Sequence, residues 1–411
     1  MAQATPPNHG PLTTDHSHPP MRTPPKVALL IETARGYGRQ MLQGIVRYAR
    51  LHGPWGFYVT PGDFEQALPK MQQWGGTGII ARIETPQIAR AVLESGLPTI
   101  VLDLPESQSQ PGHPLSRFSE VASDSAQAAA MAAGHLLERG FRHYAFVGTA
   151  GRVWSDRRQA SFCQTVRAAG FTVWVFPAPV SRRDRVWERE QPILAQWLEH
   201  LPKPLGLMAC NDDRGREVLE ACRAAEIRVP EDLAVIGVDN DELLCDLADP
   251  PLSSVALNAD GVGYRAAELL DLMMHGRTRK PQRLVAEPLY VVTRRSTEIV
   301  AIEDPEVVAA LRFLHDHAAE PIRVEDVLRQ LAISRRNLEL RFQTAVGRTL
   351  HAELQRVRLE RAQRLLIETD LPVPEVAQAA GYSTACYFIQ VFRRAQGTTP
   401  AKYRRQLRTG D

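Results

Sequence analysis

The hydrophobic rhythm of this chain changes once, near residue 300, and that change limits the folds open to it. Up to residue 298, short apolar and β-branched runs alternate with helical spacing. Residues 27–31 (VALLI), 56–60, 78–83, 99–102, 144–148, 172–176, 206–209 and 233–238 read as strands. Helical stretches are expected over 39–51, 85–95, 125–139, 157–169, 192–200 and 213–225. Such alternation implies parallel sheets with crossover helices. The units are too many for one small sheet, so 26–298 reads as a two-lobed α/β domain. Lobe one is expected at about 26–141 and 254–284, lobe two at about 142–253 and 285–298. From Pro305 onward no strand-like run survives, and Gly347, Pro372, Pro374, Gly381, Gly397 and Pro400 punctuate successive helices. Asp304-Pro305 marks the break, with 299–305 as linker and 306–411 as an all-α domain. Residues 1–25, rich in proline, read as a disordered tail that cannot bury enough apolar surface to fold.

The formal charge of the whole chain, +2 from 49 basic and 47 acidic residues, hides a split. From Pro321 to Asp411 there are about 16 Lys+Arg and about 9 Asp+Glu, roughly +7, leaving roughly −5 elsewhere. A small basic helical domain joined to a slightly acidic α/β domain suits a nucleic-acid reader tied to another module. No apolar run reaches the roughly 18 residues of a membrane helix. The N-terminus lacks the apolar core of a signal peptide. Five scattered cysteines form no CxxC pair, which suits free thiols in a reducing cytoplasm. His9, His16 and His18 in the tail could hold a metal, but a solvated tail is the favoured reading, and no metal or cofactor is expected.

Two stretches of the C-terminal segment have helix-turn-helix spacing. In 324–347, Val324, Val327, Leu328 and Leu331 form one apolar face; Ser334 is placed to cap the next helix, whose Leu338, Phe342 and Val346 turn inward. In 373–397, Val376, Ala377 and Ala380 pack inward, Gly381 supports the turn and Thr384 can cap. Phe388, Val391, Phe392 and Ala395 face the core. An amphipathic helix over 350–369 can join the two units rigidly. Held this way, the second helix of each unit can enter major-groove segments one turn apart, about 34 Å.

The run R-L-x-x-A-x-x-L-L (358–366), G-Y-x-x-x-x-Y-F-x-x-x-F (381–392) and G-T-T-P-A-K-Y-R (397–404) resembles the AraC/XylS DNA-binding domain over about 100 residues. The resemblance implies that Arg336, Glu339, Leu340, Ala385, Cys386 and Gln390 face bases. Side-chain chemistry shifts the emphasis to Arg335, Arg336, Asn337, Glu339 and Gln390, because arginine binds guanine and amides bind adenine through paired hydrogen bonds. Leu340 can meet a thymine methyl. Thr384, Arg341, Arg348, Arg393, Lys402 and Arg404 are further contact candidates, the basic ones to phosphate.

Segment 26–298 resembles the effector domain of LacI/GalR-type regulators. The similarity is carried by V-A-S-D (121–124), H-L-L-E-R-G (135–140), R-R-Q-A-S-F (157–162), Asn211-Asp212 and I-R-V-P-E-D-L-A-V-I-G-V-D-N (227–240). L-S-S-V (252–255) is expected to cross back to lobe one. A LacI-like sensor followed, rather than preceded, by its DNA reader resembles the XylR-type regulators. That resemblance implies a small sugar, with D-xylose as the candidate, promoter DNA, a homodimer and, for an activator, RNA polymerase. Domain order alone leaves activator, repressor and another sugar open. By resemblance Arg158, Asn211 and Asp239 contact the effector from lobe two. Strand ends of lobe one contribute Glu32, Tyr37, Arg39, Arg82 and Asp103, and Trp154 can stack on a sugar face. Enzyme signatures are missing: no phosphate loop, no GxSxG and no HExxH, and Gly36-Tyr37-Gly38 lacks the third glycine of a dinucleotide fingerprint. No catalytic residue is expected.

Overall fold

The computed structural model describes residues 24–59, 68–179, 186–298, 304–331 and 333–409. Most of the expected tail and linker lie outside them. Residues 26–298 form two six-stranded sheets. The first contains β1 (Lys26–Leu30), β2 (Gly56–Val59), β3 (Gly78–Arg82), β4 (Thr99–Leu102), β5 (Ser119–Ser123) and β11 (Arg283–Ala286), in the order β11-β5-β4-β3-β1-β2. The second contains β6 (His143–Val147), β7 (Val173–Val175), β8 (Leu205–Ala209), β9 (Leu233–Asp239), β10 (Ser253–Leu257) and β12 (Pro288–Val292), in the order β12-β10-β9-β8-β6-β7. All pairs are parallel except β10 with β12.

The eight expected strands, β1–β4 and β6–β9, fall within a residue or two of their expected positions, whereas the aliphatic β11 and β12 had not been expected. Strands β5 and β10 carry serines where aliphatics were sought. Their hydroxyls are satisfied inside the fold: Ser253 donates to the Arg294 carbonyl at 2.9 Å and Ser254 to Asp212. A buried hydroxyl with a partner costs little, so these strands tolerate a polar sequence.

The lobe boundaries move accordingly. Residues 252–255 do not cross back; Ser253 pairs with Ile236, keeping β10 in the second sheet. The chain crosses at Asp124, Asn258 and Glu287. Asp124 and Asn258 each cap the following helix, accepting from the Gln127 and Gly261 N–H groups. The helix Ser125–Leu137, expected in lobe one, packs on Val153–Ala168 and the second sheet. The crossings run side by side, joined by Asp124 N–H to Ala286 and Asn258 N–H to Glu287, both at 2.9 Å.

On lobe one, Gly36–His52 packs closely against Ala259–Met274. A Cβ on Gly44 would stand 1.9 Å from the Asp260 carbonyl oxygen, and one on Gly263 would stand 2.2 Å from that of Met41. Only glycine lets these backbones approach so far.

The C-terminal domain is built around the helix Leu350–Glu368. Val327, Leu338 and Phe342 share one core with Val307, Leu311 and Leu314 of Pro305–Asp316. Val376, Phe388 and Phe392 form the other. Arg358, the first residue of the shared motif, is a tie between the halves: buried, it donates to the carbonyls of Ala318 at 2.9 Å and Glu320 at 2.6 Å. Gly381 turns at φ +88°, and a Cβ there would lie 2.0 Å from the Ala318 carbonyl. Two details depart from expectation. Ser334 stands at the helix start without a side-chain cap bond. Ala395 is exposed, because Phe388 and Phe392 already fill the core side.

Among the described residues the domains touch at several places, including the helix Ala259–Met274 against Pro400–Thr409. Tyr290 donates to Glu368 at 2.9 Å, Ile367 packs on Ala256, Tyr290 and Val292, and Glu138 lies 3.9 and 3.8 Å from Arg348 and Arg356.

Gly263→Ala is expected to lower stability by about 1–3 kcal/mol through forced separation of the two helices. Denaturant unfolding compared with Ala267→Gly, on the same helix, checks this; an unchanged midpoint for Gly263→Ala contradicts the close approach.

Candidate functional site

The carboxyl ends of both sheets face each other across a small cleft. Glu32 follows β1, Arg82 ends β3, Asp103 follows β4, Ser123 ends β5, Asn211 follows β8 and Asp239 ends β9. All six line the cleft, with Arg35, Tyr37, Trp154 and Arg158. Ligands bind at strand carboxyl ends in open parallel sheets. Here two such edges supply opposing walls.

Arg82 is held between two carboxylates. Its guanidinium meets Glu32 at 2.9 Å and Asp103 at 2.9 Å. All three are at least nine-tenths buried. Burial opposes the Arg82 charge, yet Glu32 and Asp103 outweigh it and hold its pKa well above the usual value. Burial likewise works against Asp103, and Arg82 and the Ser123 N–H at 2.9 Å reverse the sign, leaving its pKa low.

Arg158 plays the matching part in lobe two. It donates to the Cys210 carbonyl and to Asp239 at 3.1 Å, and lies over the Trp154 ring at 5.3 Å. Trp154 thus stacks on an arginine and lines the cleft at the same time. Burial is the main influence on Asp239, only partly offset by Arg158, and raises its pKa to about 6. Asp239 and Asn240 adopt φ +104° and +48°, and Asp103 +46°. Strained backbone at the strand ends points Asp239 and Asp103 at the cleft, while Asn240 turns away to accept from Arg294 at 3.0 Å. Two buried polar atoms in the cleft lining, the Tyr37 hydroxyl and Arg158 Nε, have no hydrogen-bond partner among the described residues.

Asn211 also caps the helix Asp212–Ala224: its oxygen accepts from the Arg214 N–H at 3.0 Å and its amide donates to Asp213 at 3.1 Å. Arg39 is not at the cleft. Its guanidinium binds Asp241 and the Thr33 carbonyl, tying lobe one to lobe two. Arg35 and Ser123 were not expected. Ser123 belongs to the V-A-S-D run, whereas Arg35 carried no signal, because only folding brings it within 2.8 Å of Asp213, 178 residues away. Arg152 with Glu84, and Arg157 with the Leu104 carbonyl at 3.2 Å, add further links. The lobes are closed on each other.

The second face lies on the helical domain. Arg336, Asn337, Leu340, Cys386, Gln390, Arg393 and Lys402 are exposed, Leu340 by 67%. Thr384 caps its helix by accepting from the Tyr387 N–H at 3.2 Å. Other candidates are occupied within the chain. Arg335 pairs with Glu325 at 2.8 Å and Glu339 at 2.9 Å. Arg341 is clamped to Asp304 and Glu306, Arg348 to Glu353, and Arg404 closes the end of Leu350–Glu368 by donating to the Leu366 and Leu371 carbonyls. Arg341 and Arg404 are therefore structural ties rather than free phosphate contacts. Ala385 is half-buried against the core instead of fully displayed.

Among the described residues, no cluster of metal-binding side chains is present and no helix is long and apolar enough to cross a membrane.

Comparison with known proteins agrees with both halves. Residues 26–124 match the XylR N-terminal domain, 133–297 a periplasmic binding protein-like domain and 327–406 a helix-turn-helix domain. The chain is 35% identical over 387 residues to the xylose operon regulatory protein of Escherichia coli K12, covering 92% of this chain and 96% of that protein. It is 31% identical to the protein of the same name from Haemophilus influenzae, covering 92% and 98%. A solved structure of the xylose-binding transcription activator XylR superposes with a TM-score of 0.58 at 34% identity, over 92% and 97% of the two chains. A two-lobed sensor with a charged cleft, two helix-turn-helix units at its C-terminal side and full-length similarity lead to one conclusion: the chain belongs to the xylose operon regulatory protein family of DNA-binding transcription regulators.

Proposed function

We propose that the chain activates pentose-catabolic genes when D-xylose occupies the cleft. One observation carries the sugar reading: the Tyr37 hydroxyl and Arg158 Nε are buried in the cleft lining without partners. A polyol supplies hydroxyls to both, removing a desolvation cost of about 1–3 kcal/mol per group. The cleft residues include three carboxylates (Glu32, Asp103, Asp239) and three guanidinium groups (Arg35, Arg82, Arg158). This balance favours a neutral ligand over a sugar acid or phosphate. The family members named above support xylose, and the solved relative is described as a xylose-binding activator.

Sugar contacts on both walls hold the lobes together, and only stronger binding to the closed state can shift that equilibrium. The second helices of the two helix-turn-helix units then meet promoter DNA in the cytoplasm. Arg336, Asn337 and Gln390 read base edges, Leu340 and Cys386 line the same surface, and Arg393 and Lys402 contact phosphate. Arg335 and Glu339 join them only if DNA opens their mutual pair. A homodimer places two such readers on adjacent half-sites, and activation implies contact with RNA polymerase.

Calorimetry tests the sugar site. Asp239→Ala is expected to abolish D-xylose binding while leaving basal DNA affinity intact; unchanged sugar affinity contradicts the assignment. A sugar hydroxyl donating to Asp239 favours its ionised form. Binding therefore strengthens above pH 6 and weakens as pH falls through about 6, where Asp239 takes up a proton. Titrations between pH 5 and 8 should show this slope in the parent chain and a flatter one in Asp239→Asn.

For DNA, Arg336→Ala is expected to cost about 1–3 kcal/mol at its own base pair and to relax specificity there. An unchanged base preference in a selection experiment removes Arg336 from the reading set.

A further inference from the structure

Between lobe two and the helix Pro305–Asp316 lies a second cavity of about 280 Å³. Its lining includes Arg139, which is only 5% exposed. Arg139 Nε donates to the Thr297 carbonyl at 2.8 Å. One terminal nitrogen donates to the carbonyl and the Nδ1 of His135, both at 3.0 Å. Arginine has no lone pair to offer, so His135 Nδ1 accepts and its Nε2–H donates to Thr297 Oγ1 at 2.8 Å. The imidazole is neutral. The other terminal nitrogen of Arg139 makes no hydrogen bond among the described residues, and no described carboxylate lies in ion-pair contact with the side chain. Burial first, and the Arg356 charge second, lower the Arg139 pKa to about 10. A buried cation of this kind is costly unless an anion meets it.

The remainder of the lining indicates what kind of anion fits. Val308 and Leu311 form an apolar wall, and around the opening the exposed carboxylates of Glu231, Glu298 and Asp316 alternate with the exposed guanidinium groups of Arg295 and Arg312, with His315 beside them. Those carboxylates can accept from hydroxyl or ammonium donors, and with guanidinium groups beside them the mouth does not exclude a single negative charge on its way to Arg139. We propose that this cavity binds a small carboxylic acid whose carboxylate rests on Arg139 and whose far end carries hydrogen-bond donors. Such a ligand touches lobe two and the first helix of the DNA domain together. Arg341 already ties the start of that helix, through Asp304 and Glu306, to the first recognition helix. The cavity is therefore a second effector site, placed where occupancy stiffens the joint between sensor and reader.

Titration calorimetry on the full chain, with and without saturating D-xylose, tests this using D-glycerate, L-lactate and L-serine against uncharged glycerol. D-glycerate and L-serine are expected to bind with one-to-one stoichiometry in both conditions, L-lactate more weakly and glycerol not at all. Because D-xylose is varied separately, failure of the sugar assignment leaves this result readable. Arg139→Gln should lower D-glycerate affinity at least about tenfold. Should that buried change impair folding, Val308→Trp fills the cavity from a half-buried wall position and should remove binding while D-xylose titration stays normal. No binding of any carboxylate to the parent chain, or unchanged D-glycerate affinity in folded Val308→Trp, overturns the proposal.

Discussion

Charge buried at the carboxyl ends of parallel strands must be paired, and two arginines satisfy that constraint here. Arg82 joins Glu32 to Asp103 within lobe one, and Arg158 joins Asp239 to the Cys210 carbonyl within lobe two. Each carboxylate sits at or just beyond the end of a different strand, so the pairs fix the relative height of neighbouring strands as well as the cleft chemistry. Removing one partner leaves an isolated charge in the interior, which costs several kcal/mol. A ligand that bridges the two walls meets groups these pairs have already oriented, but the closed cleft offers only about 20 Å³, so the lobes must part to admit it and close again around it.

The same logic of ties runs through the rest of the chain. Asp239 and Asn240 are followed on the far side by Arg294, which donates to Asn240 Oδ1 and the Leu252 carbonyl, both at 3.0 Å, and lies three residues before Thr297, the partner of His135 and Arg139. Gln40 of lobe one reaches the Asp239 and Asn240 carbonyls at 3.3 Å. On the helical side, Arg358 and Gly381 join the two helix-turn-helix units, and Tyr290 with Glu368 anchors their common helix to the sensor. The cleft and the helical domain are thus connected through hydrogen bonds and packed side chains, which is the material two-state coupling needs.

Much of this was legible in the residues, and the exceptions share a cause. Aliphatic strands such as β3 and β9 announce themselves because burial on both faces demands apolar runs. Serine-rich β5 and β10 do not, since their hydroxyls find partners only after folding. In the cleft, Asp239 and Asn211 were reached through the family resemblance, which their positions at strand ends bear out geometrically. Arg35 did not, because its partner Asp213 is distant in sequence. Arg39, Arg341 and Arg404 looked like ligand or phosphate contacts since an arginine in a motif says nothing about which carboxylate or carbonyl it will meet. The overall +2 charge shows the same limit: the basic excess of the C-terminal segment is countable, but which of its charges are neutralised within the chain depends on folded contacts such as Arg341 with Asp304 and Glu306.

In the proposed mechanism, closure on the sugar and engagement of DNA form one equilibrium. Linkage makes this reciprocal: the factor by which D-xylose tightens DNA binding must equal the factor by which DNA tightens D-xylose binding. Calorimetric titration of D-xylose into the free chain and into its complex with promoter DNA measures this most directly. Tighter sugar binding is expected in the complex, by the same ratio that D-xylose gives in a DNA-binding assay at the same salt. Equal D-xylose affinity with and without DNA would contradict it.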